Sequence, residues 1–449
     1  MSNIVDYPFS FSLVRNYVVF TFKRYYGEYI VTGRENIPEN CPVIYAPNHI
    51  NALMDAIAVH SIAPYHVPVI FLARADIFKN PTAAKILKFI KILPAFRMRD
   101  GFENLGKNNE VFEQCVEIIN KNNALGIMPE GNQGEQRKLR PFVKGIFRIA
   151  FDAQQKYGLK PKVKIVPVGI DYGDLKKFGK HIIINIGKPI EVSDYMIAYG
   201  ENPVTATNEI REKLKEDLNQ LSLNLASEKY YDCFLKVTEV ANTTFLENLH
   251  LPENTISRFN ARQEIAKRLI LLEKSEPEKM KILELLTSKY VSLLNKLKLH
   301  NRVLEQKPAG KAAILGEGFR LFLTFPIFLV GFLCNIIPFY LPMYIRKSVI
   351  KAEYEGFFST LQYGIGIIVF PIFYLLQAIL FTCLITGSWW VIIIIVLMQY
   401  PFGKLALKWN SKTTKFLAKL RYIRFTNKKS SDLNEAQKMR IQIIRMISE

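Results

Sequence analysis

The stretch PVIYAPNHINALMDAIA, residues 42–58, decides the fold. A short apolar run, Val43 to Tyr45, ends in Ala46-Pro47 and opens into Asn48-His49, and Asp55 follows six positions after the histidine. A helix turns by about 100° per residue, so side chains six apart on one regular helix point about 120° away from each other. His49 and Asp55 therefore meet only if the histidine sits in a turn and the aspartate in the first turns of the helix that follows. The local residues permit this. Pro47 biases Ala46 towards extended backbone. Asn51 is a helix-capping residue type ahead of Ala52, Leu53, Met54, Ala56, Ile57 and Val59. The stretch thus reads as strand, sharp turn, helix. Two roles are open for it: a general base oriented by a carboxylate, or a capped helix with an ordinary loop histidine.

Around this stretch, β-rich runs recur at Tyr29–Thr32, Val69–Leu72, Leu125–Met128, Val163–Val168 and Ile182–Ile186, with helical patterns between them. Alternating strands and helices predict an α/β domain over residues 28–195, with a parallel or mixed central sheet flanked by helices. From residue 196 to 305 the strand signals vanish. Ile210, Leu214 and Leu218, then Ile265, Leu269 and Leu272, then Leu283, Leu286, Tyr290 and Leu294 fall at helical spacing. This predicts a helical subdomain broken near Pro252 and Pro277. A Pro/Gly-bearing linker is expected over 306–318.

Beyond the linker the chain becomes strongly apolar. Leu321 to Ile345 and Gly356 to Gly403 carry no charged residue, and a helix needs about 20 apolar residues to span a bilayer. A membrane region is therefore expected over 319–403. It is expected as two full spans with a turn at Gly387-Ser388, preceded by a broken, partly inserted helix that carries Pro326, Pro338 and Pro342. The basic residues from Lys404 to Arg445 predict a cytoplasmic tail over 404–449 and place the α/β domain on the cytoplasmic side of a multi-pass membrane protein. At the other end of the chain, MSNIVDYPFSFS lacks the basic start and cleavage pattern of a secretory signal. Residues 1–27 read as an aromatic helix interrupted by Arg15 and Lys23, either lying in the membrane interface or packing on the domain.

The chain of 449 residues has 60 Lys and Arg against 40 Asp and Glu, a formal net charge of +20. That excess favours anionic partners. No nucleic-acid motif accompanies it, and the basic residues flank apolar runs, so a phosphorylated substrate and a lipid surface are expected and nucleic acid is not. The five cysteines are scattered without a Cys-x-x-Cys pair, and the histidines lack metal-ligand spacing, so neither a disulfide framework nor a metal site is expected.

Three further stretches join His49. In Phe96-Arg97-Met98-Arg99-Asp100, two arginines at the end of a strand project to one side, and forked guanidinium groups suit phosphate. A pair of surface arginines balanced by Asp100 is the alternative. In Met128-Pro129-Glu130-Gly131, a strand runs into one carboxylate and a glycine free to adopt positive φ. The cationic loop Arg137, Lys138, Arg140, Lys144 follows. In Val166-Pro167-Val168-Gly169, proline interrupts a strand, which fits either a pocket wall or a sheet edge.

In this order, Asn-His…Asp, Phe-Arg, Pro-Glu-Gly and Val-Pro-Val-Gly resemble the four blocks of the glycerol-phosphate and lysophospholipid acyltransferase family. The resemblance covers residues 28–195. It implies His49 as the catalytic base and Asp55 as its partner. It implies Arg97, with Arg99 beside it, as the ligand of the acceptor phosphate, and Glu130 and Gly131 as acceptor-binding. Pro167 matches the fourth block, and Lys144 also falls on the family pattern. The donor implied is an acyl thioester, acyl-CoA or acyl-carrier protein, used as a co-substrate with no other cofactor. The commonest family motif has four residues between histidine and aspartate, whereas this chain has five. That spacing resembles a branch including fungal-type glycerol-3-phosphate acyltransferases and implies a glycerol-3-phosphate acceptor, with lysophosphatidic acid or another lysophospholipid as the alternative. A basic membrane-surface protein without catalysis is the alternative of another class.

Overall fold

The computed structural model describes residues 4–96, 106–158, 161–305, 310–350 and 355–448. The chain divides into two compact units, Met1–Asn224 with Glu353–Thr360, and Leu225–Ala352 with Leu361–Glu449.

The first unit is built on a mixed sheet. Its strands are β1 Glu28–Thr32, β2 Val43–Pro47, β3 Val69–Arg74, β4 Ile92–Ala95, β5 Ala124–Gly126, β6 Lys164–Tyr172, β7 His181–Ile186 and β8 Ile190–Glu191. They lie in the order β1-β7-β6-β2-β5-β3-β4, with β8 beside β6. Strands β2 to β6 pair in parallel, and β7 and β8 run antiparallel to β6. Such a sheet needs cover on both faces, and its helices supply it. They are α1 Phe9–Tyr25, α2 Ala52–Ile62, α3 Pro81–Phe89, α4 Lys107–Asn120, α5 Gly145–Tyr157, α6 Met196–Glu201 and α7 Pro203–Leu221. Successive strand residues face opposite sides. Ile44 and Ala46 of β2 accordingly join Cys115 and Ile119 of α4 and Phe147 and Phe151 of α5 in one buried cluster. Helices α1 and α2 pack together, and α2 also packs on β2 and β6.

Helix α7 lies beyond the boundary expected at residue 195. Asn202 caps it by accepting from the N–H groups of Val204 and Thr205, and Pro203 occupies its first turn. Its apolar face, Ala206, Ile210, Leu214 and Leu218, is buried in the same cluster as β2. The helical spacing announced a buried face, but not that the sheet would bury it.

Helix α1 uses both of its faces. Phe11, Arg15, Val19 and Phe22 are buried, while Phe9, Leu13 and Phe20 stay exposed at 83%, 61% and 51%. Arg15 breaks the apolar pattern because it points inward. Its guanidinium donates to the carbonyls of His60, Ala63, Pro64 and Tyr65 at 2.7–3.1 Å and to the Tyr7 hydroxyl at 2.9 Å. Those carbonyls lie in the last turn of α2 and in the residues just after it, where a helix leaves acceptors unsatisfied and favours positive charge.

In the second unit, the helices Thr255–Ser275 and Pro277–Leu297 carry the expected apolar stripes. The final helix Ser431–Ser448 packs against Pro277–Leu297 through Leu433, Ala436, Ile443 and Ile447, and Lys296 pairs with Asp432 at 2.6 Å. Part of the expected linker is helical instead. Lys311–Leu323 forms a helix in which Gly318 lies against the Phe416 ring and Glu317 pairs with Lys419 at 2.8 Å.

Three helices are long and apolar enough to cross a membrane: Phe325–Ile350, Phe358–Leu384 and Trp390–Asn427. The first was expected to be broken, yet it is continuous through Pro338 and Pro342 over Phe325–Ile345. Apolar helices tolerate proline where neighbours re-satisfy the freed backbone groups. The expected turn stands at Gly387, with φ of 63°. Asn335 ties the three helices together. Its Nδ2 donates to the Gly331 and Gln399 carbonyls at 2.9 and 3.3 Å, and its Oδ1 accepts from the Tyr374 hydroxyl at 2.6 Å.

Candidate active site

The site grows from the C-terminal end of β2, where ligands gather in α/β sheets. Asn48 continues the strand with its side chain. Its Oδ1 accepts from the Ile170 N–H at 2.7 Å and its Nδ2 donates to the Ile170 carbonyl at 3.1 Å, which fixes the chain to β6 just before the histidine. His49 is then held at three points. Its backbone N–H donates to Glu130 Oε1 at 2.8 Å, its carbonyl accepts from the Gly134 N–H at 2.9 Å, and its ring Nδ1 lies 2.9 Å from Asp55 Oδ2.

Asp55 lies in the first turn of α2 and is fully buried. Besides the imidazole, its Oδ2 accepts from the backbone N–H groups of Ile50 and Asn51 at 2.9 and 2.7 Å. Its Oδ1 accepts from the Tyr172 hydroxyl at 2.6 Å. A buried carboxylate is tolerable only when its lone pairs are used in this way. Burial, with Asp55 beside it, pushes the Tyr172 hydroxyl far above its ordinary range, so it remains a donor.

The five residues between His49 and Asp55 fit through one unusual residue. Ala52 adopts φ of 44°, in the left-handed region, directly after Asn51. For a residue with a Cβ this costs about 1–2 kcal/mol. Asn51 occupies the cap position as expected, but its side chain does not cap the helix. Asp55 reaches back to the N–H groups of Ile50 and Asn51 ahead of the helix, and the Asn51 side chain turns to Ser359.

Glu130 frames the other side. Its Oε2 accepts from the Arg140 backbone N–H at 3.2 Å and from Arg140 Nε at 2.9 Å, so this carboxylate orders the cationic loop. Arg140 Nη1 also donates to the Gln133 carbonyl at 2.6 Å. Burial raises the Glu130 carboxyl, and the His49 N–H and the Arg140 guanidinium oppose that rise. Gly131 adopts φ of 67°, as expected, with Val143 packed against it.

The remaining expected residues fall unevenly. Pro167 is buried in β6 opposite Ala46 of β2. It is no edge residue, and it falls between the stretches of β6 paired with β7 and with β8, where no ladder bond is interrupted. Lys144 is exposed immediately before α5. Arg97 and Arg99 lie outside the described residues. Asn48 of the Asn-His block and Arg140 of the cationic loop complete the site, together with Tyr172, which no sequence feature singles out. Among the described residues, no group of three or more His, Cys, Asp or Glu is arranged to hold a metal ion.

Residues 28–171 match the family model described as Acyltransferase. The chain is 25% identical over 194 residues to a chloroplast 1-acyl-sn-glycerol-3-phosphate acyltransferase of Brassica napus, over 43% of this chain and 51% of that protein. It is 32% identical over 117 residues to glycerol-3-phosphate O-acyltransferase 1 of Saccharomyces cerevisiae, over 26% of this chain and 15% of that protein. The chain thus spans about half the length of the first of these relatives and far less of the second. A solved 1-acyl-sn-glycerophosphate acyltransferase of Thermotoga maritima aligns with a TM-score of 0.33 at 18% identity, over 46% of this chain and 78% of that one. The residues matched by the Acyltransferase model include His49, Asp55 and Glu130.

Proposed function

We propose that the chain is a membrane-bound O-acyltransferase. It moves a fatty acyl group from acyl-CoA or acyl-carrier protein to a hydroxyl of a glycerol phosphate, with glycerol-3-phosphate as the preferred acceptor. The observation that carries this reading is the His49 Nδ1–Asp55 Oδ2 contact of 2.9 Å, with the aspartate buried and the histidine side chain 17% exposed. Asp55 occupies Nδ1 and leaves Nε2 for the substrate. An alcohol is a weak nucleophile at neutral pH, so Nε2 takes its proton as the oxygen attacks the thioester carbonyl carbon. The C–S bond then breaks, and the departing thiolate receives that proton from the imidazolium. Asp55 fixes the tautomer and stabilises the imidazolium. No acyl-enzyme is required.

Arg97, Arg99 and the exposed Lys144 are proposed to hold the acceptor phosphate, on the strength of the family resemblance and of the affinity of guanidinium and ammonium groups for phosphate. Glu130 and Gly131 shape the acceptor side by fixing the His49 backbone and the Arg140 loop. The three apolar helices and the exposed aromatic face of α1 suit substrates whose acyl chains partition into a bilayer. The α/β domain and the basic C-terminal segment are proposed to lie together on the cytoplasmic side, which requires that only two of the three apolar helices cross the bilayer fully, and protease digestion of sealed vesicles tests this. Cleavage of the C-terminal segment from the cytoplasmic side is expected, and its protection there overturns the orientation.

The function is tested with the full-length chain in detergent. Labelled acyl-CoA and acyl-carrier protein are presented with glycerol-3-phosphate, dihydroxyacetone phosphate and lysophosphatidic acid. Label is expected in a monoacylglycerol phosphate formed from glycerol-3-phosphate. Label only in phosphatidic acid reassigns the acceptor to lysophosphatidic acid, and no transfer to any acceptor overturns the reading.

A further inference from the structure

The turn between His49 and Asp55 has a partner far away in the sequence. Between the first two apolar helices, Glu355–Phe357 forms a short turn that leads into the helix beginning at Phe358. Residues Glu353–Thr360 belong to the same compact unit as the sheet. Ser359 is 2% exposed and Asn51 1% exposed, and the Ser359 hydroxyl donates to Asn51 Oδ1 at 2.5 Å. Gly356 lies so close to Gln133 that a Cβ on it would stand 2.0 Å from the Gln133 amide nitrogen. Gln133 in turn receives Arg140 Nη1 at its carbonyl. One short segment thus touches both sides of the frame that holds His49.

The contact to Asn51 falls where the backbone is strained. The Asn51 N–H is one of the donors that hold Asp55, and the next residue, Ala52, has a φ of 44°. A left-handed residue with a Cβ persists only where its surroundings over-determine it. Asn51 makes no capping bond of its own, and its Nδ2 is buried without a partner among the described residues. Among the described residues, the hydroxyl of Ser359 is the polar group that fixes this side chain.

We propose that Ser359 is a positioning residue of the His49–Asp55 centre, acting through Asn51. It holds the turn in the conformation that aims the Ile50 and Asn51 N–H groups at Asp55 and so keeps the carboxylate on the imidazole. Substrate does not touch it. This inference rests on the acyltransferase reading for its kinetic readout.

The experiment uses the full-length chain in lipid nanodiscs with labelled acyl-CoA and glycerol-3-phosphate, for Ser359→Ala, Ser359→Thr, Asn51→Ala and the Ser359→Ala/Asn51→Ala pair. Loss of one buried hydrogen bond is expected to lower the kcat of Ser359→Ala by about three- to thirtyfold, with KM for both substrates nearly unchanged. Threonine keeps the hydroxyl and restores at least half of the rate. In the Asn51→Ala background the serine substitution has little further effect. A Ser359→Ala kcat equal to that of the parent overturns the proposal. So does a threonine variant as impaired as the alanine one, or a full additional loss in the Asn51→Ala background. If Ser359→Ala does not fold, Asn51→Ala carries the test, and an unchanged kcat there overturns it. If the parent chain transfers no acyl group, the function reading fails by itself. Hydrogen exchange then decides, because Ser359→Ala must speed exchange of the Ile50 and Asn51 amides, and unchanged exchange overturns the proposal.

Discussion

A histidine stands just before helix α2 and another in its last turn, and the two ends treat them in opposite ways. At the N-terminal end, His49 meets Asp55, whose oxygens also hold two backbone N–H groups and the Tyr172 hydroxyl. At the C-terminal end, His60 lies against the Phe71 ring while Arg15 satisfies the last carbonyls. Burial, and then the Arg15 charge, lowers the His60 imidazole to about 3. One end thus sets an imidazole against a buried carboxylate, and the other keeps an imidazole neutral. Both arrangements match the helix, with negative charge at its N-terminus and positive charge at its C-terminus. The difference teaches that neither the residue type nor the helix sets the role of a histidine here. The role follows from the one charged partner that the rest of the fold supplies.

The largest expected effect removes the partner at the N-terminal end. Asp55→Asn should lower kcat by about 10²–10⁴, because an amide at this position no longer stabilises the imidazolium, and circular dichroism should show the fold retained. Full activity would separate the two residues functionally. Next comes the opposite end. Arg15→Ala leaves several carbonyls of a buried helix end without donors and should cost about 3 kcal/mol of stability, read as a lower midpoint in denaturant. An unchanged midpoint would mean that α2 needs no anchor there. A smaller effect is expected from Tyr172→Phe, about tenfold in kcat, since Asp55 keeps its other donors. A loss as large as that of Asp55→Asn would make Tyr172 a full member of the catalytic unit.

The smallest effect is a pH dependence at His60. The unfolded chain takes up a proton there below about 6.5, whereas the folded chain does so only near 3. Protons therefore bind the unfolded state more readily in that window, and the stability contributed by neutral His60 is lost as pH falls from about 6.5 towards 3. His60→Gln should flatten the decline by about 0.7 kcal/mol between pH 7 and pH 6. A decline as steep as the parent's would show that the histidine is not enclosed in this way.

How much of this was legible in the sequence depended on distance along the chain. The His49–Asp55 geometry could be worked out because both residues lie within one turn and the helix that follows it. The strands and the apolar helices were legible for the same reason, since periodicity is local. Asn51 has the residue type of a helix cap, yet its side chain makes no capping bond and accepts from the Ser359 hydroxyl instead. Arg15 looked like an interruption until the end of α2 was seen above it. Tyr172 and Ser359 reach the site from residues far away in the chain, and nothing local to either one marks it. The membership of α7 in the sheet domain was hidden in the same way, because an amphipathic pattern tells that a face is buried and not what buries it.

The central claim is that the imidazole held by Asp55 is the base of an acyl transfer. The most direct test measures transfer from labelled acyl-CoA to glycerol-3-phosphate by the full-length chain and by its His49→Ala variant side by side, each with an intact melting transition. A loss of about 10²-fold or more in kcat is predicted for the variant. Transfer at close to the parent rate would contradict the account.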